Sequence, residues 1–342
     1  WELSKSIVSD TEEWPKQTRK RVGWLLRDGF GNADLYNCFL QEKDRIREII
    51  ITLADDPDPD ISTDRPPEGY AGHNDPSHTA LNTVRPVAVD ALIIYARRVA
   101  VDEDSEPDSE VIEKLEERMN DISLGVHSVF GRRLLTLWSI DEDWVIDYLP
   151  EIFPRSQSQR DTERFTAAWD SYVAFSQAHP GVFPHLRKYY FHAIDLMAEG
   201  ETTETINADQ QMAAHLLGNY LFEYDLEEWS ESLLAYLYDR ADPDLARQVA
   251  WNLWKWGDDQ EEDDAYNKWN KTRALWERRV EQVGNDDTYS DEITWFVRYL
   301  DHVGSRVELC EIENLLRNSI FHIGSHQHSR RVWSNLEEYL SR

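Results

Sequence analysis

The residue types that first suggest chemistry are three histidines near the C-terminus. In FHIGSHQHSR (321–330), His322, His326 and His328 stand close together. Imidazole is the commonest metal-ligating side chain, and a closed zinc site takes about four donors oriented by hydrogen bonds from behind. His322 and His326 are four apart and would share a helix face, but Gly324 and Ser325 between them break a helix. No Cys or carboxylate stands at a motif spacing beside them, and Glu308 and Glu311 approach only through the fold. We read the three as capping and surface histidines and assign no metal ligand.

DDPDPD (55–60) has the look of a calcium loop. Counted from Asp56, carboxylates fall at loop positions 1, 3 and 5, but Ile61 stands where an EF-hand needs Gly and Pro67 where it needs Glu. Counted from Asp102, Glu113 lands on position 12 while Pro107 occupies position 6. Both counts fail, and the stretch reads as a solvated acidic loop. The 14 tryptophans raise a third possibility, a sugar cleft with Trp platforms beside two carboxylates. Trp251, Trp254 and Trp256 cluster in one helical pattern. Trp144, Trp169, Trp229, Trp254 and Trp276 fit helical periodicity, so most are expected in the core. With 66 acidic residues, any particular carboxylate pair is uninformative. His192 and Asp195, three apart in FHAID, read as a packed His with an exposed Asp. GxxxxGK(S/T), GxGxxG after a strand and GxSxG are all missing. No catalytic or cofactor-binding residue is assigned.

The elements that would carry these residues are helical. In VRPVAVDALIIYARRV, Val84, Val87, Ala88, Ala91, Leu92, Tyr95 and Val99 recur at three- and four-residue steps, one apolar stripe on a helix. Val126, Phe130, Leu134 and Leu137 repeat the pattern. Asp242 is a good N-cap with Pro243 at the first helical position, and Leu245, Val249, Leu253 and Trp256 form the expected buried face. Asp225 and Glu228 stand at capping-box spacing. Asp141 caps a short helix whose Trp144 and Tyr148 bury one face, and Pro150 and Pro154 stop it. The spacing predicts helices near 2–25, 33–54, 80–101, 108–120, 122–139, 141–149, 160–178, 183–199, 207–223, 226–239, 243–257, 260–283, 288–302, 307–320 and 328–341. Alternating runs that would pair as strands are rare. Short connections make successive helices antiparallel neighbours. The expected fold is all-α, an α-solenoid of degenerate antiparallel helix hairpins of the HEAT or TPR kind. Composition divides the chain into an N-terminal helical segment (1–54), an acidic Pro/Gly-rich loop or linker (55–79) and a helical-repeat domain (80–342). The acidic run 258–264 opens a helix, where negative charge suits the macrodipole.

Charge narrows the partners. The 342 residues carry a formal charge of -30, and 41% are hydrophobic, enough for a substantial core. Only nine of the 36 cations are Lys. A chain so rich in Asp and Glu reads as halophilic, its carboxylates hydrated and their repulsion screened by salt. Nucleic acid is excluded as the main partner, because phosphate binding needs a concentrated basic surface. The densest basic stretch, Arg19-Lys20-Arg21, is short and is expected to solvate a helix face. Cys38 and Cys310 lie far apart without CxxC or CxxH neighbours, so a reducing, cytoplasmic compartment is expected. No apolar run approaches membrane-spanning length; the longest, around Val87–Ala96, is interrupted by Asp90 and closed by Arg97-Arg98. The chain begins at Trp1 rather than Met, so we expect a piece of something longer.

A set of phrases in order extends this reading: VRPVAVDALIIYA (84–96), FGRRLLTLWSIDEDWVIDYLPEIFP (130–154), AAWDSYV (167–173), VFPHLRKYYFHAIDL (182–196), LGNYLFEYDLEEWSESLLAYLYDRADPDLARQVAWNLWKW (217–256) and LWERRVEQV (275–283). Together, over roughly residues 80–342, they resemble the C-terminal helical region of large prokaryotic proteins of the STAND NTPase or SIR2-associated kind, many of them linked to antiviral defence. The resemblance implies that ATPase or effector chemistry lies upstream of this segment. It also implies that the helical region senses a ligand, or packs against the NTPase core. The matched phrases hold no catalytic motif, so no catalytic residue is carried over. The expected function is a non-enzymatic protein-binding sensor or scaffold, its partner another protein or the upstream domains of the same polypeptide. The competing expectation is an (α/α)-toroid glycoside hydrolase with a Trp-lined cleft and paired carboxylates.

Overall fold

The structure, a computed structural model, describes residues 1–10, 13–60, 75–102, 105–156, 158–200, 207–225, 227–303 and 306–323. Among the described residues every regular element is a helix, and none is long and apolar enough to cross a membrane. The chain forms two compact units, Trp1–Gln177 with Gly200–Ala208, and Ala178–Glu199 with Asp209–Arg342.

The first unit begins with α1 (Glu2–Ser9), α2 (Lys16–Gly31), α3 (Ala33–Leu40) and α4 (Lys43–Ala54). Pro15, just ahead of α2, separates α1 from α2 within the stretch expected as one helix, because its ring cannot continue a preceding turn. Beyond DDPDPD come α5 (Pro76–Asn82) and α6 (Val84–Arg97), then a π-helical turn (Arg98–Asp102) and α7 (Ser109–Arg118). The unit closes with α8 (Leu124–Arg132), α9 (Leu134–Trp138), α10 (Glu142–Ile152) and α11 (Gln159–Phe175). Pro150 lies inside α10 rather than ending it, and Asp141 caps that helix by accepting from the Trp144 amide at 2.9 Å. Trp144 and Tyr148 are only half-buried; Val145, Leu149 and Ile152 are the inward residues.

The centre of this unit is α6. Periodicity predicts a single apolar stripe, yet α6 is buried almost all round, including Arg85 and Asp90. The reason is tertiary: α2, α4, α5, α7, α8 and α9 all pack against it. Leu26 and Phe30 on α2 and Ile46, Ile50 and Leu53 on α4 are buried in the same core, where each large aliphatic contributes roughly 1.5–3 kcal/mol. Residues 16–31 and 43–54 therefore share a core with 84–97.

In the second unit stand α12 (Phe183–Glu199), α13 (Ala208–Leu221), α14 (Leu233–Tyr238), α15 (Pro243–Asp258), α16 (Glu262–Asn267), α17 (Trp269–Val283), α18 (Ser290–Arg298), α19 (Leu300–Val303) and α20 (Leu309–Ile323). The main packing pairs are α15 with α18 and α18 with α20. Asp242 caps α15 as expected, accepting from the Leu245 amide at 2.8 Å, with Pro243 next. The helix expected from 226 starts only at Leu233. Ser232 caps it, and Asp225 accepts from the Leu233 amide at 2.9 Å instead of opening a capping box. The predicted helix 328–341 lies outside the described residues.

Candidate functional site

Of the three C-terminal histidines, only His322 lies among the described residues; His326 and His328 fall outside them. His322 is not a surface residue. It is fully buried near the end of α20, with Nε2 3.0 Å from the Gly284 carbonyl and Nδ1 3.3 Å from Ser290 Oγ. Both ring nitrogens are engaged, holding α20 to Gly284 and to the start of α18 rather than facing a metal. Among the described residues no group of three or more His, Cys, Asp or Glu is arranged to hold a metal ion.

The acidic corner is likewise built in. Asp56 is 3% exposed and takes a bidentate pair from Arg19, at 2.6 and 3.1 Å. Asp58 accepts from the Val84 amide at 2.9 Å and caps α6, while Asp55 pairs with Lys114 at 3.0 Å. The solvated-loop reading is therefore corrected for Asp56 and Asp58, because the fold supplies cations and a helix N-terminus to receive them. Arg19 and Lys20 are correspondingly buried rather than solvating a helix face; Lys20 Nζ donates to the Asn82 carbonyl at 3.1 Å. Asp195 accepts from Tyr236 Oη at 2.7 Å and from Arg240 at 3.2 Å, so its partners lie on α14 and just beyond it rather than on His192.

The tryptophans depart furthest from expectation. Trp138, Trp169, Trp269 and Trp276 are buried, but Trp144, Trp229, Trp251, Trp254 and Trp256 are half-buried. Partial burial suits such rings, which combine an apolar body with a polar N–H. Trp254 lies against Trp295 at 5.0 Å, and Arg298 stacks over both rings at 4.4 Å. Burial pushes the neighbouring His302 imidazole down, favouring its neutral form beside Trp254.

A partly exposed aromatic group forms at the C-terminus of α13. Asn219 begins the closing motif: its carbonyl accepts from the Tyr224 amide at 2.9 Å, and the Tyr220 carbonyl accepts from the Glu223 amide at 3.5 Å. This is a Schellman close, which needs a left-handed residue, and Glu223 at φ 60° occupies the place usually given to Gly. Such a conformation costs a non-glycine residue about 1–2 kcal/mol. The turn leaves Phe222 42% exposed. Tyr224 stacks on Phe222 at 6.0 Å, and Trp256 from α15 meets it edge-on at 6.1 Å. Lys268 sits over the Phe222 ring at 4.6 Å and Lys271 over Tyr220 at 5.0 Å. Lys271 also donates to the Tyr220 carbonyl at 2.9 Å and pairs with Glu223 at 3.3 Å. Rigid aromatics with a cation on their faces supply large contact area at little entropic cost, and nothing in the group forms a nucleophile, acid–base pair or ligand set. Sequence reasoning missed this surface. FEY at the end of a helical pattern is a faint signal, and only the fold brings Trp256 and Lys268 to it.

Each unit also has an open cleft. In the second unit, Met197, Asp209, Arg240, Asp242 and Arg247 line one of about 400 Å³. In the first, four arginines line one of about 560 Å³. Neither has a tryptophan on its wall. No family model matches the chain, and neither a curated protein nor a solved structure resembles it significantly.

Proposed function

We propose that this chain is a non-catalytic helical binding region, the sensor or scaffold portion of a larger intracellular NTP-dependent protein of the antiviral-defence kind. Its partner, another protein or a domain of the same polypeptide, docks on the Phe222 surface. The α-solenoid of degenerate hairpins belongs to this proposal; short connections between many of the helices support it. The observation that carries the reading is the exposed Phe222, held outward by a left-handed Glu223 and framed by Tyr224, Trp256 and Lys268. A non-glycine residue in the left-handed conformation is costly, and such residues cluster at functional sites, which supports a recognition role for the ring beside it. The glycoside-hydrolase alternative requires a Trp-lined cleft with carboxylates roughly 5–10 Å apart, and among the described residues neither of the two clefts above has a tryptophan on its wall.

The test is affinity capture of the tagged chain from its own cells, followed by titration of the retained protein against purified chain. Phe222→Ala combined with Lys268→Glu is expected to weaken binding at least about tenfold, because anchors of this type cost about 2 kcal/mol or more on truncation. The thermal midpoint should change little, since Phe222 is 42% exposed and Lys268 is only half-buried. Binding unchanged in the double variant, or no protein retained by the unaltered chain, defeats the reading.

A further inference from the structure

The cleft of the first unit concentrates positive charge in a chain whose formal charge is -30. Its volume, about 560 Å³, is that of a small-ligand pocket. Arg27, Arg97, Arg98 and Arg133 line it, with Asp28 and Asn32. Arg27 comes from α2, Arg97 from the last position of α6, Arg98 from the first of the π-helical turn, and Arg133 from the step between α8 and α9. A π-helical turn sacrifices regular hydrogen bonding and recurs at functional sites.

Asp90 organises the group from inside. It is 2% exposed and accepts from Arg133 at 2.5 and 3.3 Å, and it lies 3.6 Å from an Arg27 terminal nitrogen. Arg27 also donates to Asp28 at 2.8 Å, and Arg98 to the Gly31 carbonyl at 3.3 Å. Arg97 pairs with no carboxylate among the described residues. Four guanidiniums thus line a cleft whose wall carries one carboxylate, Asp28, with Asp90 buried behind Arg27 and Arg133, a local excess of positive charge along that wall. Arg132 adjoins the group, over the Phe175 ring at 4.9 Å; burial, then Arg133 and Arg27, push its guanidinium down against the pull of Asp90. Acidic residues outnumber basic ones 66 to 36 in this chain. A cleft that gathers like charges where carboxylates are so abundant is shaped for an anion that arrives from solution.

We infer that this cleft binds a small dissolved anion through a dianionic phosphate group. Phosphate carries about two negative charges, enough to offset that excess, and its tetrahedral oxygens accept from guanidiniums converging from several elements. A planar carboxylate satisfies fewer of them at once. The overall charge repels nucleic acid and anionic membranes, so the ligand is a small molecule. This site is independent of the Phe222 surface.

Isothermal titration of the full chain with inorganic phosphate and with inorganic pyrophosphate tests the assignment, with succinate as the dicarboxylate comparison. Saturable binding of pyrophosphate is expected, weakening as sodium chloride rises. Arg97→Gln should reduce affinity about tenfold or more, the loss of one charge-assisted hydrogen bond, without moving the thermal midpoint. Arg21→Gln, an exposed arginine elsewhere on α2, should leave the affinity within about twofold. No saturable heat with either phosphate overturns the proposal. So does succinate or a short DNA oligonucleotide binding as tightly as pyrophosphate, or Arg21→Gln weakening binding as much as Arg97→Gln.

Discussion

His127, 1% exposed on α8, is the residue whose protonation the fold opposes most directly. Its Nε2 lies 2.9 Å from the Asp121 carbonyl and 3.0 Å from Arg164 Nε. One ring nitrogen cannot donate to the first and accept from the second. Because the guanidinium always carries its proton, Nε2 is the acceptor and the ring is neutral. Burial and then Arg164 push the imidazole down to about 4 from its ordinary 6.5. The unfolded chain therefore binds a proton that the folded chain refuses, so stability is fully present above pH 6.5 and is lost as pH falls toward 4. The loss should reach about 3 kcal/mol at the lower end. Urea unfolding across that window checks it, and His127→Asn should flatten this region of the profile relative to the unaltered chain. The buried pair in the second unit works differently: Arg279 donates to Glu292 at 2.6 and 2.8 Å, while burial pushes the Glu292 carboxyl up. Neither pair was legible in the sequence, because each joins residues whose meeting depends on which helices pack. The same holds for Arg19 and Asp56, which separately look like ordinary surface charges.

At the scale of elements, α8 and α11 come closer than side chains normally permit. A Cβ on Gly131 would lie 1.7 Å from the Ala168 carbonyl oxygen. Ser171 Oγ, on α11, lies 2.6 Å from Ser128 on α8 and 3.1 Å from Ser77 on α5, stitching three helices with buried hydroxyls. Gly131→Ala must therefore push the α8 and α11 backbones apart rather than rotate a side chain. It should cost more than about 3 kcal/mol, seen as a fall in the urea midpoint, whereas Gly31→Ala, with open space around its Cβ position, should change little. Helix positions and caps were readable from local chemistry: α12 spans the expected 183–199, and Asp141 and Asp242 cap where predicted. Which face each helix buries was readable only where one side is covered. In α6 the stripe was real but incomplete, because helices on nearly every side bury the remainder.

For the whole molecule, the excess of 66 acidic over 36 basic residues dominates solution behaviour. Many carboxylates are paired locally, as in Lys255 with Asp258 and Asp259, but pairing cannot absorb a net charge of -30. Screening shortens from about 10 Å at 0.1 M salt to about 3 Å at 1 M, so repulsion among exposed acids should fade before the buried pairs weaken. The thermal midpoint should rise with potassium chloride over that range; a fall would show that screened ion pairs, and not repulsion, set the balance. The all-helical class, the principal helices and several caps follow from periodicity and N-cap chemistry, which act within a few residues of chain. Tertiary packing alone decided that Asp56, Arg19 and His322 are interior groups, that most of the described tryptophans are only half-buried, and where Phe222 and the four arginines gather. Burial and charge pairing are properties of neighbours in space, and residues dozens of positions apart become neighbours only when the helices between them have packed.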